Sequence, residues 1–375
     1  MTQRITQFLK RRSPETPCLI VDLNTVKQNY RKLSQALPDA AIYYAVKANP
    51  APQILKLLTD LGCAFDVASV GEIELVLQAG ADASRMSYGN TIKKQADIAK
   101  AYTLGVRLFA FDCMEELEKI AQAAPGSRVF CRILTSGEGA QWPLSRKFGC
   151  HPQIAVKLLR RAQDLGLKSH GISFHVGSQQ LDPRQWNDAV ATAAGIFRTL
   201  EDHGITLEML NIGGGMPTRY RQKIPSLCAY GAIIRDAIRT HFGNRLPDVI
   251  AEPGRQLVGD AGIIQTEVVL IGRKAPQDLK RWVYLDIGKF GGLAETQDEA
   301  IQYPIRSGRK GRREQVILAG PTCDSADVLY EKAKYRLPVD LEIGDKLLIK
   351  STGAYTSTYS SVAFNGFSPL RCYCI

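Results

Sequence analysis

The sequence predicts an α/β fold: a (β/α)8 barrel of the TIM type, followed by a C-terminal domain built only from strands. Two observations carry this. From the forties to about residue 260, short apolar, β-rich runs alternate with amphipathic helical stretches. After Gly259 the helical spacing nearly vanishes, and strand-like runs follow one another between Gly, Pro and Asp turns.

The first strand is read at Ala41–Val46 and its helix at Ala51–Leu61. Then come Ala64–Ala68 with Gly71–Ala79, Arg85–Tyr88 with Ile92–Leu104, and Leu108–Asp112 with Met114–Ala123. Arg128–Leu134 precedes Ile154–Leu165, Gly171–Val176 precedes Pro183–His203, and Leu207–Ile212 precedes Leu227–Phe242. Asp248–Glu252 is the eighth run. Short, nearly continuous apolar runs suit strands buried on both faces of a parallel sheet. Eight of them favour closure over a flat doubly wound sheet. Beyond Gly259, strands are expected at Ile263–Lys274, Arg281–Ile287, Gln315–Leu318, Leu347–Ser351 and Leu370–Ile375. A short strand at Cys18–Asp22, ahead of a helix at Thr25–Leu37, joins the β domain from the other end of the chain. The expected division is therefore a barrel over 24–260 and a β domain made of 1–23 and 261–375.

Composition narrows the function. The 375 residues are 45% hydrophobic and 23% charged, as in ordinary globular proteins. No apolar run is long enough to span a membrane, and the N-terminus lacks the apolar core and cleavage site of a secretory signal, so no membrane association is expected. The segment is read instead as a short amphipathic surface helix. Nine cysteines, an odd number with no CxxC pair, fit cytoplasmic thiols better than a disulfide framework. The five histidines show no metal-ligand spacing, so no metal is expected. The formal charge of +11 is mostly scattered. Its clusters, Lys10-Arg11-Arg12 and Arg306 to Arg313, lack interleaved aromatics and read as solvated surface rather than a nucleic-acid site.

Barrels of this kind work at the C-terminal ends of their strands. Lys47 ends the first strand, where a drier pocket would favour a neutral, nucleophilic amine. Asp66 and Arg132 lie in the second and fifth strands. His175 ends the sixth, where an imidazole can stack on a flat ring or simply be a satisfied core histidine. Ser178 follows in the same loop, within reach of a phosphate. Gly213-Gly214-Gly215 follows the seventh strand and suits a phosphate cradle or a flexible turn. Glu252-Pro253-Gly254-Arg255 follows the eighth. There a carboxylate can hold a pyridine nitrogen protonated and a guanidinium fork can bind phosphate, although the two can also form a surface pair. In the β domain, Cys323 and Asp324 share a turn in which a thiol can donate a proton and a carboxylate can accept an ammonium. Tyr355 can order a phosphate or serve as a core aromatic.

As an ordered set these segments resemble the fold-type III pyridoxal-phosphate decarboxylases, which share their barrel with alanine racemase. The similarity runs from about residue 17 to the end. It rests on YYAVKANP, AFDVASVGEIELV, SRKFG, GISFHVGSQ, NIGGGMP, AEPGR, GPTCDSAD and GAYTSTYSSVAFNGF. The branch it most resembles holds ornithine decarboxylases and bacterial lysine/ornithine decarboxylases. The resemblance implies that Lys47 is the Schiff-base lysine, that Glu252 pairs with the pyridinium nitrogen and that His175 stacks on the ring. It gives Ser178, Gly213, Gly214, Gly215, Arg255 and Tyr355 to the phosphate. Asp66, Arg132 and Glu72 would lie near the cofactor's 3-hydroxyl and Lys47. Cys323 would reprotonate the α-carbon, and Asp324 would bind the distal amine of a basic amino acid.

The resemblance also implies a head-to-tail homodimer in which Cys323 and Asp324 come from the second copy. Where eukaryotic ornithine decarboxylases carry a Tyr-Asp pair, this chain reads Thr296-Gln297-Asp298-Glu299-Ala300. Glu299 or Asp298 then supplies the acid at that point, which leaves lysine open as a second substrate beside ornithine. The product would be putrescine, or cadaverine from lysine, for polyamine biosynthesis in the cytoplasm. An inactive regulatory homologue of antizyme-inhibitor type is the alternative from another class. Against it, Lys47, Glu252, Arg255 and Cys323 are all present.

Overall fold

The computed structural model describes residues 2–142 and 147–375. Ser145 and Arg146 of the SRKFG segment lie outside the described residues. The chain divides into two compact units. One comprises Lys27–Pro217 and Ile224–Gly254; the other comprises the segment through Val26, Thr218–Lys223 and Arg255–Ile375. The barrel unit is thus interrupted by a six-residue excursion and ends at Gly254, where the sequence reading ran unbroken from 24 to 260.

The first unit holds a closed barrel of eight strands, all paired in parallel. They are Ala40–Ala45, Ala64–Val67, Met86–Tyr88, Leu108–Phe111, Arg128–Arg132, Lys168–Ser173, Met209–Asn211 and Asp248–Ala251. Closure comes from the eighth strand lying beside the first, Val249 opposite Ala40 and Ala251 opposite Ile42. All four residues of the second and of the fourth strand are buried, as a sheet covered on both faces requires. Leu108, Ala110, Phe130, Met209 and Ile250 pack together with Tyr43 across strands that are not all neighbours. The barrel is therefore filled with side chains rather than open.

Each expected helix is present, two of them with the expected bounds, Met114–Ala123 and Leu227–Phe242. The helix Val70–Gln78 is capped by Ser69. Ser69 accepts the Glu72 N–H at 3.2 Å, and Glu72 in turn accepts the Ala68 N–H at 2.7 Å. Two otherwise orphaned donors are satisfied by this near-reciprocal capping box. The strand ends differ from the sequence reading where it counts. Lys47 sits on a single 3-10 turn, Val46–Ala48, after the first strand has finished. The sixth strand stops at Ser173, so His175 stands in the loop beyond it rather than at the strand end. That loop pairs Ser178–Gln180 antiparallel with Ala140–Trp142.

In the second unit, a mixed sheet runs in the order Ile305–Ser307, Lys346–Lys350, Gly262–Gly272, Arg281–Leu285, Arg313–Ala319, Val328–Pro338. Cys18–Val21 pairs antiparallel with the long strand Gly262–Gly272 and parallel with Arg371–Cys374. The helix Gln3–Arg12 lays Ile5, Phe8 and Leu9 on Cys18, Ile20, Ile263 and Tyr373. Two strands had no sequence expectation. Ile305–Ser307 is only three residues long. Val328–Pro338 is rich in Lys, Glu and Arg and meets its neighbour through irregular register.

Candidate active site

The C-terminal end of the barrel gathers the expected groups. Lys47 Nζ lies 3.2 Å from Asp66 Oδ2. The lysine side chain is 49% exposed and the aspartate 4%. The dry surroundings expected for Lys47 are therefore not what the fold provides. A single helical turn lifts the amine off the apolar strand, and an ion pair holds it. Asp66 Oδ1 is buried and has no hydrogen-bond partner among the described residues.

Glu252 follows the eighth strand. Burial and the charge of Asp66 push its carboxyl up to about 7, while Lys47, Asn211 and Arg132 oppose that rise. Burial also pushes Glu72 up to about 7, against its hydrogen bond from Ala68 and the charge of Lys47. Arg132 is half-buried with its guanidinium 5.0 Å from the Phe148 ring, and burial lowers its affinity for the proton. His175 is held well below the usual imidazole range, first by burial, then by the positive charges of Arg132 and Lys47. Its Nδ1 accepts the Gly177 N–H at 3.0 Å, so the neutral ring carries its proton on Nε2.

The three glycines are required by space. Gly213 and Gly215 have φ of +66° and +104°. A Cβ on Gly213 would stand 2.1 Å from the Phe174 oxygen, and one on Gly215 2.5 Å from the Gly177 oxygen. A Cβ on Gly214 would lie 3.3 Å from His175 Nε2, so this loop runs along the edge of the imidazole. Only backbone without side chains fits there. An amine at an ion pair, a buried carboxylate near neutrality, a neutral imidazole and a glycine loop together suit an aldehyde-bearing, phosphorylated pyridine ring.

The comparisons agree with that chemistry. The family model described as the pyridoxal-dependent decarboxylase, pyridoxal binding domain, matches residues 23–259. The chain belongs to the pyridoxal-phosphate-dependent amino-acid decarboxylases. It is 38% identical over 369 residues to the lysine/ornithine decarboxylase of Selenomonas ruminantium, covering 98% of this chain and 91% of that one. Its fold matches SrLDC in complex with PLP and cadaverine with a TM-score of 0.89 at 35% identity, over 100% of this chain and 94% of that one. The lysine/ornithine decarboxylase of Vibrio vulnificus, solved with cadaverine and also with putrescine, matches with a TM-score of 0.88 at 31% identity, over 99% and 97% of the two chains. The fold is thus that of the fold-type III decarboxylases, and pyridoxal phosphate is the family's cofactor. Among the described residues no group of three or more His, Cys, Asp or Glu is placed to hold a metal, and no helix is long and apolar enough to cross a membrane.

The remaining expected residues of this decarboxylase lie in the β unit. Arg255 is 3% exposed. Its NH1 group donates to Tyr220 Oη at 2.6 Å and to Glu295 Oε2 at 2.7 Å, and its NH2 group to Glu295 Oε1. The two-pronged edge that the sequence reading reserved for phosphate is therefore occupied by a buried carboxylate. The Tyr355 ring lies 4.9 Å from the same guanidinium, on backbone with φ of +54°. Cys323 and Asp324 stand on an exposed turn. Asn365 Oδ1 accepts the Cys323 N–H at 2.9 Å, and Asp324 Oδ1 accepts the Ala326 N–H at 2.8 Å. Glu299 accepts N–H groups from Glu331, Lys332 and Ala333 at 2.7, 2.7 and 2.6 Å, so its carboxylate pins a strand. Asp298, beside it, is exposed.

Three residues escaped the sequence reading. Asn211 bridges Glu252 and Gly213. Glu295 holds Arg255. Asp327, 2% exposed, accepts from Lys289 N–H, Thr322 N–H and Thr322 Oγ1 and so braces the Cys323 turn. A signal existed for each. Asn211 is a polar residue inside the apolar run before the glycines. Glu295 directly precedes the acidic Thr296–Ala300 stretch. Asp327 is the second acid of GPTCDSAD.

Proposed function

We propose that this decarboxylase acts on L-ornithine, releasing carbon dioxide and putrescine, with L-lysine as a second substrate yielding cadaverine. The observation that carries the reading is the Cys323-Asp324 turn. It offers one proton donor and one carboxylate, which suits a substrate with a single amino-acid head and a distal ammonium. The named relatives act on lysine and ornithine, and the solved neighbours hold cadaverine or putrescine.

Each residue's role follows from its chemistry. Lys47 supplies the amine that anchors the cofactor's carbonyl carbon and yields that position to the substrate amine. Glu252, ionised, accepts a hydrogen bond from the ring nitrogen and keeps that nitrogen protonated, and neutral His175 covers one face without adding charge. The Gly213–Gly215 loop and Ser178 take the phosphate; Tyr355 shares that role, and Arg255, its fork occupied by Glu295, adds positive charge behind it. Asp66, Arg132 and Glu72 set the charge around Lys47. Bound pyridoxal phosphate supplies the electron sink for the pair left when carbon dioxide departs. Cys323 would return a proton to the substrate's α-carbon, and Asp324 would accept the distal ammonium. We further propose that Cys323 and Asp324 serve the barrel of a second copy in a homodimer, and that the enzyme works in the cytoplasm.

The test is parallel measurement of carbon dioxide release from ornithine, lysine, arginine and diaminopimelate. Ornithine should turn over with the highest kcat/KM and lysine next. Faster release from arginine or diaminopimelate would overturn the assignment.

A further inference from the structure

Asn211 is the last residue of the seventh barrel strand, and its side chain is fully buried. Both ends of its amide are used. Oδ1 accepts the Gly213 N–H at 2.9 Å, and Nδ2 donates to Glu252 Oε1. An N–H can meet only an acceptor, so Gly213 decides which end of the amide is oxygen. The NH2 end must then face Glu252. Backbone bonds tighten the same corner: Glu252 N–H donates to the Gly213 oxygen at 2.9 Å, and Phe174 N–H to the Asn211 oxygen at 3.1 Å. One side chain thus links the glycine loop to the carboxylate after the eighth strand, beside the loop that carries His175.

We propose that Asn211 is a positioning residue that couples anchoring of the cofactor phosphate, through Gly213, to the orientation and ionisation of Glu252, the partner of the ring nitrogen. The inference rests on the roles proposed above for Gly213 and Glu252. An amide NH2 cannot accept a hydrogen bond. It therefore favours the state in which Oε1 is an unprotonated acceptor and keeps the other oxygen for the ring. The charged groups facing Glu252 are Asp66, Lys47 and Arg132. Burial and Asp66 favour the protonated acid; the amide works with Lys47 and Arg132 against them.

Two substitutions separate the halves of the coupling. Asn211→Asp keeps an acceptor for Gly213 but sets a second carboxylate against Glu252. Asn211→Ala removes both bonds. The experiment titrates each apo-protein with pyridoxal phosphate and follows the absorption of the bound cofactor against pH, with melting curves of the apo forms as a folding control. Asn211→Ala should weaken cofactor binding about tenfold, as expected for a lost buried hydrogen bond. Asn211→Asp should stay within about threefold of the natural protein, because Gly213 keeps its partner. The midpoint of its spectral titration should nonetheless rise by about one pH unit, since a neighbouring carboxylate disfavours ionised Glu252. Equal weakening by both variants, or an unmoved midpoint in Asn211→Asp, would overturn the coupling. If Asn211→Ala does not fold, Asn211→Ser takes its place. Cofactor absorption that Glu252→Gln leaves unchanged would instead overturn the role of Glu252 itself.

Discussion

The barrel mouth and the Cys323 turn solve opposite problems. At the mouth, Asp66 and Asn211 are buried, Asp66 is paired with Lys47, and Glu252 is held by Asn211. Desolvation raises the proton affinity of Glu252 before any ligand arrives. The Cys323 turn is exposed, and its backbone is held from behind by Asp327 and Asn365. The contrast teaches that electronics can be preset inside one folded unit, whereas a thiol and carboxylate on an open turn gain their setting from what covers them. In the proposal, that cover is a second copy of the chain.

Lys47→Ala should break the barrel side of this comparison most completely. Loss of the nucleophile should lower turnover by about 10³-fold or more. Borohydride should no longer fix the cofactor to the protein, whereas in the natural enzyme it should label Lys47. Cys323→Ala should slow turnover by about 10²-fold or more, the range for a missing proton donor, while cofactor absorption stays intact. Mixing these two inactive variants should recover activity if each site draws on two copies; mixtures that stay inactive would refute the shared site. Asp324→Asn should raise KM for ornithine by about 10- to 100-fold, the worth of a hydrogen bond to a charged group, with a smaller change in kcat.

The pH dependence of stability should differ between the regions. Glu252 and Glu72 are raised from 4.5 to about 7 on folding. A raised carboxyl binds its proton more tightly when folded. Its stabilising contribution is complete below the unfolded value and is lost as pH climbs through the folded value. The apo-protein should therefore melt at progressively lower temperature between about pH 5 and pH 8, and Glu252→Gln with Glu72→Gln should flatten that slope. Asp324→Asn, on the exposed turn, should leave it unchanged. The smallest effect belongs to Asp327→Asn, which should speed amide exchange across 320–326 without touching cofactor absorption.

Much of this was legible in the chain. The eight apolar runs are strands because a strand covered on both faces tolerates almost no polar residue, and a run such as Leu108–Phe111 shows this directly. The glycines were legible for a related reason: a triplet after a strand signals a path too tight for Cβ. What resisted reading depends on where a strand stops and which distant group a side chain meets. His175 falls two residues beyond its strand. Arg255 was read as a phosphate fork, yet its prongs go to Glu295, forty residues away in sequence.

The sequence by itself determined the fold class and the cofactor. Periodicity encodes burial, and each reacting group must have the right atoms whatever surrounds it. Only the tertiary structure decided that Lys47 is half-exposed beside Asp66, that Glu252 titrates near neutrality and that Asn211 ties it to the glycine loop. Those properties are set by distances and desolvation between residues far apart in the chain, and no local pattern specifies them.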